Sequence, residues 1–120
     1  MPRYVDGFVI PVPKRNIAAY AAMSKKAGKV WKEYGAIDYV ECVGDDIASK
    51  FGVPFAKLAK TKSNETVVFY YIVYKSRAHR DKVNAKVMKD KRITGMMRDK
   101  KMPFDCNRMT YGGFEMIIDM

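Results

Sequence analysis

The segment SRAHRDKVNAKVMKD, residues 76–90, concentrates residue types that do chemistry. It carries the single histidine of the chain, His79, together with Arg77, Arg80, Asp81 and Asn84. An imidazole suggests a general base, and arginines suggest a clamp for carboxylate or phosphate, which the planar guanidinium engages as a fork. Helical spacing separates the two ideas. At about 100° per residue, Arg77, Asp81, Asn84 and Met88 lie within about 60° of one another, flanked by Ala78, Arg80, Ala85 and Val87. His79 turns with Lys82, Lys86, Lys89 and Asp90 toward the side that meets water. Lysine neighbours lower a histidine pKa, so the arginine stripe is the more unusual face. Arg77 and Asp81 stand at i, i+4 and can pair directly. The stripe has two readings: an ion-pair network that fixes the helix against its neighbour or a partner, or an anion clamp.

The remaining candidates lie on strands. Asp6 shares a strand face with Tyr4, Phe8 and Ile10; Glu41 shares one with Ile37, Tyr39 and Val43; Glu115 shares one with Tyr111 and Ile117. If these faces line the space between two sheets, they form an aromatic cavity with a few acids, suited to a small ligand. The alternative is that the acids pair with Arg77, Arg80 or Arg108. The expected ligand-binding set is therefore Arg77, Arg80, Asp81, Asn84 and Arg108 for polar recognition, with Asp6, Glu41 and Tyr111 lining the cavity. Gly112 and Gly113 point to a bulge or a close backbone approach in the last strand. Gly44-Asp45-Asp46 reads as a turn rather than a metal site. Cys42 and Cys106 lack the partners of a zinc cage and read as two buried or idle thiols. No nucleotide, zinc-protease or serine-hydrolase motif is present, and neither a metal nor a cofactor is expected.

These residues need elements to hold them. Tyr4 to Val12 alternates as a strand, and Ile17, Tyr20, Ala21, Ser24, Gly28 and Trp31 form one stripe of a helix that Gly35 ends. Ala36 to Val43 is a second strand. Residues 44–64 form a long connection with at most one helical turn, long enough to be a lid. Thr66 to Tyr74 is a strand apolar on both faces, which must be covered on both. Ser76 caps a helix running to about Lys89, a shorter helix follows around Ile93 to Asp99, MPFDCN turns, and Met109 to Ile118 is the last strand. The order βαβ, connection, βαβ predicts a ferredoxin-like α+β domain over residues 1–120, with a four-stranded antiparallel sheet and two helices on one face. The bare face is expected to meet a second copy, closing a dimeric α/β barrel.

Composition bounds the function. A chain of 120 residues with 48% apolar content makes one globular core. No apolar run approaches the roughly 20 residues of a membrane span, and the amino-terminal stretch reads as a strand, so a cytoplasmic protein is expected. The net charge is +10, and residues 75–101 alone hold eleven Lys or Arg against Asp81, Asp90 and Asp99. Such a field attracts polyanions, which makes RNA binding by the basic helical surface the alternative to a small anionic or aromatic metabolite. A purely structural or interaction module is the third reading.

The stretches YVDGFVIPVP, WKEYGAIDYVECVGDD, ETVVFYYIVYKSRAHRDKVNAKVMKD and MPFDCNRMTYGGFE together resemble the bacterial YbaA-like family, whose function is unknown. The resemblance spans nearly the whole chain, with lysine richness and the connection around Ser49 to Lys57 as departures. It implies the dimeric α+β barrel, an architecture shared with small cofactor-free monooxygenases, dehydratase-like proteins and stress-response domains. A monooxygenase-like activity is the enzymatic expectation it carries, without catalytic residues to transfer.

Overall fold

The computed structural model describes residues 1–99 and 101–120. Lys100, one of the eleven basic residues of the 75–101 segment, lies outside the described residues. The elements follow in the order β1 (Tyr4–Pro13), α1 (Ile17–Glu33), β2 (Asp38–Val43), α2 (Phe55–Leu58), β3 (Glu65–Tyr74), α3 (Arg77–Val87), α4 (Lys91–Arg98) and β4 (Thr110–Glu115). The four strands form one sheet in the order β2-β3-β1-β4, with every pair antiparallel. This is the ferredoxin-like α+β arrangement expected from the order of the elements.

Local chemistry explains the boundaries. β1 pairs with β4 only over Tyr4 to Val9, so Pro11 and Pro13 fall where β1 has β3 on one side alone, and their missing N–H groups break no ladder. Gly35 takes φ +111° after α1, the left-handed conformation that suits a residue without Cβ. The Ser76 side chain accepts a hydrogen bond from the His79 N–H at 3.1 Å and caps α3, while Asp90 caps α4 through the Arg92 N–H at 2.9 Å. The last strand is shorter than expected. After Glu115 the chain turns, with the Met116 N–H bonding to the Arg3 carbonyl and Arg3 pairing with Asp119 at 2.8 Å.

Strand pairing sorts the sheet into two faces. Tyr4, Asp6, Phe8 and Ile10 lie beside Tyr74, Ile72, Tyr70 and Val68 of β3, which in turn lie beside Tyr39, Glu41 and Val43 of β2. This face carries the helices. Its core joins Tyr4, Ile72 and Tyr74 to Val30 of α1, Val83 and Val87 of α3 and Ile93 of α4. The opposite face is covered at one end by the long connection, where Ile47 and Ala59 pack on Val9 and Val67. The rest stays open, with Phe69 42% and Phe114 59% exposed.

Two expectations change here. Asp6, Glu41 and Tyr111 belong to the helix-covered face, so the acids do not line a space between two sheets. Period-two alternation fixes which residues share a face, and only packing fixes which face the helices take. Gly112 and Gly113 make no bulge either: they pair in continuous register with Gly7 and Asp6. They mark a close approach instead. A Cβ on Gly113 would collide with the Tyr4 side chain, which passes over the strand at that point.

Candidate functional site

The helix-covered face is not filled completely. A cavity of about 520 Å³ remains between the sheet and the helices. Its aromatic wall comes from all four strands and α1. Phe8 stacks on Tyr70 with centroids 4.1 Å apart and on Tyr111 at 4.8 Å, and Trp31 and Tyr39 extend the wall. The opposite side is flexible and sulfur-rich: Met23, Met88, Met96, Met97, Met102 and Met109 all line it, from α1, the end of α3, α4 and the chain leading to β4. Thioethers on unbranched chains adapt to irregular shapes and contact aromatic rings favourably. An aromatic floor beneath a methionine wall suits a flat apolar molecule.

Glu41, Asp6 and Asn84 add polarity to this space beside Ser24 and the tyrosine hydroxyls. Glu41 on β2 accepts hydrogen bonds from the Tyr20 hydroxyl of α1 and, at 2.7 Å, from the Tyr39 hydroxyl. Burial, with the adjoining Glu41 carboxylate, raises the pKa of both phenols, so they stay protonated donors. Asp6 on β1 is 1% exposed and meets Asn84 Nδ2 at 3.5 Å, the Tyr111 hydroxyl at 3.3 Å and the Arg80 guanidinium at 3.7 Å. Burial pushes its carboxyl above the ordinary 3.8, against the pull of Arg80, Asn84 and Tyr111. Asn84 on α3 is held firmly, because its Oδ1 accepts from both Trp31 Nε1 and the Tyr74 hydroxyl at 3.1 Å. With both acceptor sites used, the amide NH₂ is left facing Asp6.

Arg80 stands behind this group rather than in the cavity. It donates to the Tyr111 hydroxyl at 2.9 Å and the Tyr4 hydroxyl at 3.2 Å, and its guanidinium lies 4.9 Å from the centre of the Tyr4 ring. Its side chain is only 16% exposed, so its charge is felt by Asp6 with little screening.

The structure thus brings together Asp6, Arg80, Asn84 and Tyr111, with Glu41 on the same cavity. It leaves three expected residues outside. Arg77 is exposed on the first turn of α3. Asp81 is 60% exposed and lies 3.2 Å from Arg80, not paired with Arg77 as the i, i+4 spacing suggested. The buried face of α3 is set by Val83 and Val87, and their burial rotates the helix so that Arg80 and Asn84 face inward while Arg77 and Asp81 face water. Arg108 works elsewhere, donating to both Glu65 oxygens at 2.6 and 2.9 Å and to the Lys60 carbonyl. His79 accepts from the Lys75 N–H at 3.0 Å and serves the β3–α3 turn. Burial, then Lys75 and Lys82, lower its pKa. Cys42 and Cys106 are free thiols, exposed rather than buried, and Cys106 sits at the cavity. Tyr70 and most of the methionines leave no sequence signal of a site, and Tyr20 and Trp31 show only as part of the α1 stripe.

The model of the family described as "Protein of unknown function (DUF1428)" matches residues 3–106. The chain belongs to this family. The DUF1428 match contains Asp6, Glu41, Arg80 and Asn84, and ends before Tyr111. The Uncharacterized protein YbaA of Escherichia coli (strain K12) is 44% identical over 117 residues, covering 98% of each chain, and YbaA of Shigella flexneri matches with the same figures. Among solved structures, a dimeric ferredoxin-like protein from an uncultured marine organism superposes with a TM-score of 0.68 at 10% identity, over 100% of both chains. At that identity the likeness concerns the fold. Among the described residues, no helix is long and apolar enough to cross a membrane.

Proposed function

We propose that this DUF1428 protein binds a small, flat, largely apolar aromatic molecule carrying a hydrogen-bonding group, in the cavity between the sheet and the helices. The observation that carries this reading is the cavity itself: stacked Phe8, Tyr70 and Tyr111 face a wall of methionines, with Asp6, Asn84 and Glu41 as polar points. Of the two ligand classes expected from sequence, the geometry favours the aromatic one over the anionic one. Among the described residues, the charged side chains lining the cavity are the acids Asp6 and Glu41, while Arg77 and Arg108 lie away from it. A carboxylate ligand there would meet like charge in a poorly screened space.

2-Naphthol, a neutral two-ring phenol, is the probe. Titration followed by its own fluorescence is expected to saturate, and Ala27→Trp, which projects an indole into the cavity from α1, is expected to abolish binding while the protein still melts cooperatively. No saturable binding up to the solubility of 2-naphthol, or equal binding by the filled variant, overturns the proposal.

The same reading includes a second copy of the chain on the open sheet face. Phe69 and Phe114 are exposed there, and none of the strand residues on that face is Lys or Arg. The lysines and arginines of α1, α3 and α4 lie on the other side of the sheet, so the basic surface and the open aromatics do not form one RNA platform. Light scattering on the wild type is expected to give a dimer mass and Phe114→Asp a monomer mass; a monomeric wild type refutes the pairing.

A further inference from the structure

Asp6 is an unusual group to find under a helix layer. Its carboxylate has capacity for about four hydrogen bonds, yet its two hydrogen bonds measure 3.3 and 3.5 Å, and the nearest guanidinium nitrogen is 3.7 Å away. An O–H···O bond is ordinarily 2.5–3.0 Å long. The carboxylate is therefore buried, poorly satisfied, and on the wall of an apolar cavity. Beside it, the Asn84 NH₂ group carries two donors, and the long bond to Asp6 engages one of them. That amide cannot turn away, because Trp31 and Tyr74 hold its oxygen. A base and a fixed hydrogen-bond donor thus face the same space.

We infer that Asp6 and Asn84 form a proton-transfer site for carbonyl compounds that carry an acidic C–H next to the carbonyl, on an aromatic or similarly flat frame. The inference rests on the cavity binding proposed above. The Asp6 carboxylate takes the proton from the α-carbon. The C–H electron pair becomes the carbon–carbon double bond, and the carbonyl π pair moves to oxygen. The resulting enolate oxygen is held by the Asn84 N–H, in the manner of an oxyanion hole. Asp6, now protonated, returns the proton to the oxygen or to the conjugated carbon, giving the enol or the shifted alkene. No oxidant, reductant or metal enters the balance. Tyr111 is a positioning residue: its hydroxyl contacts Asp6 and is held by Arg80 at 2.9 Å.

The titratable groups around Asp6 are Arg80 from α3, Tyr111 from β4, and Tyr70 and Tyr74 from β3, with Asp81 acting at longer range from the water-facing side of α3. Burial raises the Asp6 carboxyl from its ordinary value, which moves the acid limb of the reaction in the same direction.

The test uses 2-tetralone, a neutral bicyclic ketone with acidic α-hydrogens, in D₂O buffer, with loss of the α-proton signals followed by NMR. The enol of 2-tetralone has the shape of 2-naphthol, so one binding assay serves both ideas. Wild-type protein is expected to accelerate exchange over buffer, with the rate falling as pH falls through a single ionisation above 3.8. Asp6→Asn is expected to lower the rate at saturating 2-tetralone about 10²- to 10⁴-fold, the usual span for loss of a general base, a loss of turnover that weaker binding alone does not produce. Asn84→Asp is a second variant that keeps the shape of the amide and removes its donor. It too is expected to lose exchange. Saturable 2-naphthol binding without any acceleration of exchange, or undiminished exchange in Asp6→Asn, overturns the proton-transfer site and leaves the cavity reading intact. Failure of wild type to bind 2-naphthol removes both.

Discussion

Removing Arg108 should destabilise the fold in a way that depends on pH, and should leave the cavity alone. Arg108 donates through both terminal nitrogens to the Glu65 carboxylate, at 2.6 and 2.9 Å, and Glu65 also accepts from the Lys62 N–H at 2.8 Å. The Glu65 side chain is only 6% exposed. Arg108 first, with the Lys62 N–H assisting against the opposing effect of burial, holds the carboxyl at about 2 instead of 4.5. At 1.36 kcal/mol for each tenfold change in acidity, that drop corresponds to about 3 kcal/mol of folding free energy. The sign follows from the direction. A carboxyl whose folded pKa lies below its unfolded pKa stabilises the fold above about 4.5, and loses that contribution as pH falls through about 2. Arg108→Ala should therefore cost about 2–3 kcal/mol at pH 7, the Lys62 bond being retained, in line with the penalty for unpairing a buried charge. Urea unfolding followed by Trp31 fluorescence, run at pH 7, 4 and 2.5, should show the gap between wild type and variant narrowing toward acid. A gap of the same size at pH 7 and 2.5, or a variant as stable as wild type at pH 7, would refute the reasoning. Loss of 2-naphthol binding in a folded Arg108→Ala protein would return Arg108 to the site.

Three further outcomes follow from the same geometry. Asn84→Ala strands the Trp31 indole N–H and the Tyr74 hydroxyl, two buried donors at about 1–3 kcal/mol each. It should lower stability by about 2–6 kcal/mol in urea unfolding and alter Trp31 emission; stability within 0.5 kcal/mol of wild type would contradict that accounting. Gly28→Ala places a Cβ 2.7 Å from the Tyr39 ring, whose hydroxyl is tied to Glu41. The strain, typically 1–3 kcal/mol, should outweigh the roughly 1 kcal/mol that alanine gains in a helix, and calorimetry should show a lower Tm, whereas a higher Tm means that Tyr39 moves freely. Both thiols should react with a maleimide, but 2-naphthol should slow only Cys106, which lines the cavity, and not Cys42, as read by peptide mass mapping. Equal protection of both, or of neither, counts against the placement of the ligand.

Much of the fold was legible because each strand announces itself locally. The alternation in Tyr4 to Val12, the uncharged run TVVFYYIVY and the cap at Ser76 need no tertiary knowledge, and the antiparallel four-stranded sheet follows from their order. The orientation of α3 was less legible. Its polar stripe through Arg77, Asp81 and Asn84 is the more conspicuous pattern, but the helix is turned by Val83 and Val87, two residues four apart whose burial outweighs it. Likewise the Arg108–Glu65 pair joins residues 43 positions apart, and the methionine wall gathers residues from α1, the end of α3, α4 and the approach to β4. Neither leaves a periodic trace, because neither belongs to one element.

The arginine and the acid that matter most to the candidate site are the two the fold hides. An exposed pair such as Arg3 and Asp119 adds little to stability, and its partners return to water at small cost. Asp6 and Arg80 have no such escape, and their contact at 3.7 Å is too long to offset fully the removal of two charges from water. The carboxylate is therefore a point where the folded chain gives up stability, and a ligand that supplies the missing donor restores it. By mass action, a molecule at a hundred times its Kd raises the unfolding free energy by about 2.7 kcal/mol. 2-Naphthol, whose hydroxyl can donate to Asp6, should thus raise the Tm of the wild type. Naphthalene fills the same apolar space without a donor and should raise it less. Equal shifts from the two would mean that the cavity selects by shape alone, and that Asp6 is a structural acid.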